Sequence, residues 1–318
     1  MQFQGHIPVM YEECLNALDI KPDGIYLDMT LGGFGHGRGI CEKLNENGIY
    51  IGLDLDEAAI RRGYERSKEL KNKCYFVHSN YKDFEKVLDE LNIPYVDGIL
   101  VDLGVSSFQL DESDRGFSFR NDGPLDMRMD RSQPFSAADV VNDYDEQELK
   151  RIIFEYGEER FAPQIARRIV QQREKKPFER TKELSDLIYD TVPKKFHQKG
   201  RHPATKAFQA IRIEVNRELE GLEEHVKNSI MRLNVGGRIC IISFHSLEDK
   251  AIKKAYKDMA QGCTCPKEFP VCVCHNKPKI KLINKNVYTP KKTETSDNVR
   301  SRSAKLRVAE RLDENGEE

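Results

Sequence analysis

The chain has no uninterrupted apolar run near the roughly 18 residues that a helix needs to cross a bilayer, so no membrane partner is expected. Its opening residues, Met1-Gln2-Phe3-Gln4-Gly5-His6, lack a basic region followed by an apolar one, which argues against a secretory signal. No internal repeat is evident, and neither sign of charge dominates: 51 Lys/Arg against 53 Asp/Glu leave a formal net charge of −2. Apolar residues make up 38% and charged residues 33%, polar for a globular chain but enough for a core, which excludes wholesale disorder. A length of 318 residues allows one large domain or two ordinary ones. A soluble, cytoplasmic protein is the expectation.

The near-neutral total hides two basic segments. Residues 277–311 carry 11 Lys/Arg against 3 Asp/Glu, a net +8, and residues 160–206 carry 13 against 5, again +8. Such segments fit either a polyanionic partner or solvated helix faces and a loose tail. The 8 cysteines also divide. Cys14, Cys41, Cys74 and Cys240 are scattered in apolar contexts and read as buried thiols. Cys263, Cys265, Cys272 and Cys274 crowd into one segment with spacing C-x-C-x6-C-x-C, which suggests a structural zinc or, failing that, free thiols.

Strands alternate with helices through the first third of the chain. Strands are expected at 25–28, 49–53, 74–77 and 96–101, the first, second and fourth running into Asp28, Asp54 and Asp102. Helices fall between them, with Asp56 a good N-cap. Such βαβ units imply a parallel sheet. Residues 104–136 lose the pattern, and 139–200 read as helices, for example 145–156, 161–174 and 181–191. The apolar positions Phe208, Ile211, Val215, Leu219, Leu222, Val226, Ile230 and Leu233 then form one helical stripe, followed by a fifth strand at 238–244. The architecture expected is an α/β fold with a Rossmann-like, mostly parallel sheet, interrupted by helices.

In such a sheet, ligands bind beyond the carboxyl ends of the strands, where the strand order reverses. The glycine-rich turn Thr30-Leu31-Gly32-Gly33-Phe34-Gly35-His36-Gly37 and the acids Asp28, Asp54 and Asp102 should meet there. Asp54 lies 19 residues after Gly35, near the spacing at which an acid grips a ribose. The turn does not match G-x-G-x-x-G, because the sixth position is Arg38 counted from Gly33 and Ile40 counted from Gly35; a Gly-Lys-Ser/Thr P-loop is also absent. Asp28 would repel a pyrophosphate. S-adenosylmethionine, with its sulfonium, ammonium and ribose, suits three acids better than any phosphate-bearing cofactor does.

With these blocks the chain resembles the ribosomal small-subunit RNA methyltransferase H family over nearly its whole length. The matching residues are His6-Ile7-Pro8-Val9, Asp28 to His36, Asp97 to Ser107, Arg115 to Phe119, Asp122-Gly123-Pro124-Leu125-Asp126-Met127-Arg128-Met129-Asp130, His202 to Thr205, Phe208 to Arg212, Ser243 to Asp249 and Arg302 to Arg307. The resemblance implies a class I S-adenosylmethionine-dependent methyltransferase that methylates the exocyclic 4-amino group of a cytidine in the decoding region of small-subunit ribosomal RNA. It implies cofactor contacts at Phe34, Gly35, His36, Asp54, Tyr81, Asp102 and Gln109. The chain departs from the family where Phe108 replaces a usual Pro and Gly37 a usual Ser. The domains expected are a discontinuous methyltransferase domain, 1–109 and 204–318, and an inserted helical domain, 110–203, for substrate recognition. The partner expected is ribosomal RNA within the small subunit, not DNA; a homodimer is admitted as an assembly.

A cytosine amino group is a weak nucleophile because its lone pair is delocalised into the ring, so positioning and hydrogen-bond acceptors must carry the catalysis. Asp102 is the candidate acceptor, although a cofactor contact there competes with that role, and His245 is a candidate on the substrate side. Phe117, Phe119 or Tyr81 could stack on an unstacked base. Methylation at ring carbon 5 is disfavoured, since the Pro-Cys dipeptide that chemistry usually needs is absent. The rival functions are a methyltransferase with a small-molecule substrate, against which the basic segments argue, and a non-catalytic RNA-binding assembly factor, against which the intact loop and acids argue.

Overall fold

The computed structural model describes residues 8–266, 268–284 and 286–313, so His6 and Ile7 of the first matching block lie outside the described residues. The chain divides into two compact units, Met1–Gly104 with Gly221–Glu318, and Val105–Glu220.

The first unit begins with α1 (Tyr11–Ala17), β1 (Ile25–Asp28), α2 (Gly35–Lys43), β2 (Ile49–Asp54), α3 (Glu57–Ser67), β3 (Lys73–His78), α4 (Phe84–Glu90) and β4 (Val96–Asp102). The second unit holds α5 (Ser107–Asp111), α6 (Ala137–Asp143), α7 (Glu146–Glu155), α8 (Ala162–Arg173), α9 (Thr181–Thr191) and α10 (Thr205–Asn216). The chain then returns to the first unit through α11 (Leu222–Met231), β5 (Leu233–Ser243), α12 (Ser246–Met259), β6 (Ile280–Leu282), α13 (Lys292–Asp297) and β7 (Lys305–Arg311).

The strands form one sheet of order β3-β2-β1-β4-β5-β7-β6. β1 to β5 pair in parallel, whereas β7 is antiparallel to both β5 and β6. Its order reverses between β1 and β4. The inner strands are buried almost end to end, as β-rich apolar runs covered on both faces must be. Tyr26, Phe34, Tyr50, Phe76, Leu100, Cys240, Ile242, Leu306 and Val308 share one core.

The helical unit has a core of its own, contributed by Leu149, Ile152, Ile165, Ile169, Leu184, Ile188, Phe208 and Ile211 among others. It is wider at both ends than the 110–203 read from the sequence, because α10 turns Phe208, Ile211 and Val215 into that core and Val105 and Leu110 pack against it. The single stripe expected from Phe208 to Leu233 is two helices. Arg217 (φ 49°) and Gly221 (φ 68°) adopt the left-handed conformation and break it, and β5 starts at Leu233, earlier than expected.

Asp122 to Asp130 acts as a brace within the helical unit. Asp126 holds Arg128 through both carboxylate oxygens, at 2.7 and 3.0 Å, while Leu125 and Met127 are buried. Asn216 accepts from the Met129 N–H at 2.8 Å and donates to the Met127 carbonyl at 2.7 Å.

Candidate active site

The carboxyl ends of β1, β2 and β4 carry Asp28, Asp54 and Asp102, tied together by the turn after β1. The Met29 N–H donates to the Leu100 carbonyl at 2.9 Å and the Leu31 N–H to the Leu53 carbonyl at 2.8 Å, so the turn bridges β4 and β2. The Asp102 N–H donates to Thr30 Oγ1 at 2.6 Å. Gly32 takes a positive φ of 51°, and its N–H donates to Asp54 Oδ2 at 2.7 Å. Arg66 reaches over from α3 to the Gly33 carbonyl at 2.6 Å.

The three acids differ in their satisfaction. Asp28 is buried, accepts from Tyr50 Oη at 2.8 Å and from the Thr30 N–H at 3.1 Å, and is still pushed up to about 6 by burial. Asp54 receives one backbone N–H on each oxygen, from Gly32 at 2.7 Å and from Asp56 at 2.8 Å, which leaves each oxygen a lone pair for a further donor. Burial raises its pKa too. Asp102 Oδ1 is buried with no hydrogen-bond partner. Burial first, then the charges of Asp28 and Glu248, raises Asp102 to about 8. One buried and two half-buried acids at the strand ends, one with an orphaned oxygen, make a site that favours a cation with hydroxyl donors.

His36 is buried on the first turn of α2. Its Nε2 lies 3.0 Å from the Val9 carbonyl, which can only accept, so Nε2 carries the hydrogen and Nδ1 the lone pair. Burial lowers its pKa to about 4, so the ring is neutral at pH 7. Nδ1 stands 4.0 Å from Asp102 Oδ2, too far for a hydrogen bond.

Phe34 sits beside them at φ 61°, the N-cap of α2, but its ring is buried edge-on against Tyr50 and Phe76, each at 5.4 Å. Any ligand contact at Phe34 is through its backbone. Gly35 and Gly37 are required by close approach. A Cβ at Gly35 would lie 2.3 Å from Pro8 Cγ, and one at Gly37 would lie 2.2 Å from Tyr50 Oη. Tyr81 opens a helical turn after β3 and meets His225 edge-on at 6.1 Å.

Two residues read as candidates have structural duties. The His245 Nδ1 caps α12, accepting from the Glu248 N–H at 3.4 Å, and Nε2 lies 3.1 Å from Glu248 Oε1, off hydrogen-bond alignment. Gln109 belongs to the helical unit, where its Oε1 accepts from the Ser106 N–H at 3.0 Å and completes a capping box.

In the helical unit Phe117 is core, whereas Phe119 stacks on His202 at 4.7 Å and Tyr189 stacks on the same ring at 5.5 Å. Tyr189 is exposed, a surface aromatic that sequence periodicity assigns no role. Arg160 lies 3.7 Å above the ring of Phe196, which is also exposed. The basic segment 277–311 is less free than its charge suggests: it supplies β6 and β7, and Lys305 and Arg307 both pair with Asp249, at 2.9 and 2.7 Å. The sulfurs of Cys263, Cys265, Cys272 and Cys274 lie within 4.8 Å of one another. Among the described residues no helix is long and apolar enough to cross a membrane.

The profile of the MraW methylase family matches residues 3–312. The chain belongs to the MraW methylase family. A ribosomal RNA small subunit methyltransferase H of Clostridium botulinum (strain Loch Maree / Type A3) is 51% identical over 98% of this chain and 100% of its own length. The protein of the same name in Clostridioides difficile (strain 630) is 49% identical over the same shares. A solved S-adenosylmethionine-dependent O-methyltransferase of Thermotoga maritima, 9% identical with a TM-score of 0.43, aligns over 99% of this chain and 69% of its own. The orphaned Asp102 oxygen and the free lone pairs of Asp54 would suit the charge and the ribose of S-adenosylmethionine.

Proposed function

We propose that this protein methylates the 4-amino group of a cytidine in the decoding region of small-subunit ribosomal RNA, acting in the cytoplasm on RNA held in the small ribosomal subunit. The observation that carries the reading is the match of the MraW methylase family over residues 3–312, joined to a strand-end site with an unpaired acid. When bound, S-adenosylmethionine supplies a methyl group on a sulfonium.

This chain's residues supply the rest. Asp54 accepts the ribose hydroxyls, and the turn Gly32–Gly35 lets the backbone approach the cofactor. His36, neutral and fixed by Val9, shapes the floor of the site. Asp102 ionises more readily beside a cation, and its unpaired Oδ1 then accepts a hydrogen of the substrate amine. That favours the rehybridised nitrogen whose lone pair attacks, and Asp102 takes the proton as positive charge develops there. His245, locked as the cap of α12, serves as a positioning residue for the end of β5. The family resemblance assigns Tyr81 and Gln109 to the cofactor contacts as well.

In the helical unit, exposed Tyr189 and Phe196 among basic residues offer stacking faces and charge to single-stranded RNA. The test is nucleoside mass spectrometry of small-subunit ribosomal RNA from cells lacking the protein and from complemented cells. N4-methylated cytidine should vanish and return, and should not return with Asp102→Asn. An unchanged nucleoside profile would overturn the reading.

A further inference from the structure

α12 ends at Met259 and β6 begins at Ile280. Among the described residues no helix or strand lies between them, and none from Ala260 to Lys279 is buried. Loops beyond about 12–15 residues without structure of their own are uncommon, and this one has no apolar core to hold it. Its apolar residues point outward: Phe269, Val271 and Val273 are 50%, 71% and 62% exposed. Its base is closed by hydrogen bonds. The Lys279 N–H donates to the Met259 carbonyl at 2.8 Å, and the Asn276 amide donates to the Gln261 and Gly262 carbonyls at 3.0 and 2.9 Å. What holds the tip is the question.

We propose that Cys263, Cys265, Cys272 and Cys274 bind one structural zinc ion, which fixes this loop in place of a core. The sulfurs of Cys265 and Cys272 are 4.0 Å apart, those of Cys272 and Cys274 3.6 Å, and those of Cys274 and Cys263 3.7 Å. Tetrahedral zinc, with bonds of about 2.3 Å, sets its sulfurs about 3.8 Å apart. A disulfide would need about 2.05 Å, and all of these cysteines are free. Backbone N–H groups aim at the sulfurs as well. Thr264 donates to Cys274 Sγ, and Val273 and Cys274 donate to Cys265 Sγ, each at 3.3 Å. Such bonds stabilise thiolates over thiols.

Four thiolates select a soft or borderline ion and exclude magnesium and calcium. The compact sulfur cage suits a single ion rather than a polynuclear iron–sulfur cluster, whose ligands attach to separate irons. With four protein ligands no position is open for substrate, so the ion is structural. Lys277 and Lys279 follow directly and offset the double negative charge of such a centre.

The test uses the full chain, purified reduced and without chelator. Elemental analysis should find about one zinc per chain. The C263S/C274S variant should lose it while keeping its far-UV circular dichroism and its affinity for S-adenosylmethionine, since the loop adds nothing to the core. A second measurement does not depend on that variant folding. Cobalt added to the metal-stripped chain should give the strong d–d bands of a tetrahedral tetrathiolate, displaced one for one by zinc. Zinc found on purification, or the zinc-displaceable cobalt spectrum, supports the site. A chain with neither and with four titratable thiols overturns it; so does zinc undiminished in the variant, and so does iron in the same cage.

Discussion

Replacing Asp102 with Asn tests whether this acid is held protonated until a cation arrives. In the folded protein burial raises Asp102 to about 8, against an ordinary value of 3.8. Between those values the unfolded chain has released the proton and the folded chain retains it. Folding stability therefore falls as pH rises through this window, by up to about 1.4 kcal/mol per pH unit. From pH 6 to pH 8 a full shift amounts to about 2.3 kcal/mol. The side chain is 27% exposed, and solvent screening reduces the expectation to about 1–2 kcal/mol. Asn has no such proton, so Asp102→Asn should lose that much less stability than wild type over the interval. Urea unfolding of both proteins at pH 6 and pH 8 gives the double difference, in which the groups that do not interact with Asp102 cancel; Asp28 and Glu248, whose charges act on it, are part of the effect. His36 does not interfere, because burial keeps it neutral throughout. Saturating S-adenosylmethionine should steepen its own stabilisation of wild type with pH and leave the variant flat. Parallel curves for the two unliganded proteins would mean that Asp102 is ionised in the fold, and the reasoning about a waiting acid would fail.

Asp54→Ala should weaken S-adenosylmethionine binding by about 10- to 100-fold through loss of charge-assisted acceptors, measured by isothermal titration; unchanged affinity would make Asp54 only an anchor for Gly32 and Asp56. Gly37→Ser should cost about 1–3 kcal/mol in urea unfolding, because its Cβ would press on Tyr50 Oη and loosen the bond to Asp28. Adding Tyr50→Phe should recover part of that loss, and the absence of any recovery would point to Phe34 instead. Replacing Arg167, Arg168, Lys194 and Lys195, all exposed, with Ala should weaken RNA binding and flatten its log–log salt slope by up to about 3–4, with S-adenosylmethionine affinity unchanged. A wild-type slope would leave those residues as a solvated face.

Much of the sheet is legible because each parallel strand is a buried apolar run ending in an acid and a turn, a local pattern. β1 to β4 lie within a residue of where the sequence puts them, and α7, α8 and α9 follow their apolar spacing as closely. β7 escapes notice although Leu306 and Val308 alternate with charged residues, because its basic character reads as a tail. Its burial depends on β5, and its charges are answered by Asp249 from a distant part of the sequence. The break between α10 and α11 is hidden because Leu219 happens to continue the stripe. Two left-handed residues, not the apolar pattern, decide it. At the site, Asp54 and Asp102 follow from the rule that ligands sit beyond strand ends. The core placement of the Phe34 ring, the need for Gly37 and the capping role of His245 do not. Each depends on a neighbour such as Tyr50, Phe76 or Glu248 that only the folded chain brings close.

The insertion of the helical unit between β4 and β5 has a consequence for synthesis. β4 pairs with β5 over Val96–Asp102, but Val105–Glu220 must leave the ribosome first. At about 5–20 residues per second the nascent chain spends on the order of ten seconds with β4 as an open, apolar sheet edge. During that interval the helical unit, which has its own core, can fold by itself, while the first four strands present a template for aggregation. Slowing translation within the helical unit lengthens that exposure, and slowing it after β5 does not. The demand for chaperones in making this enzyme is thereby concentrated in the middle of its coding sequence.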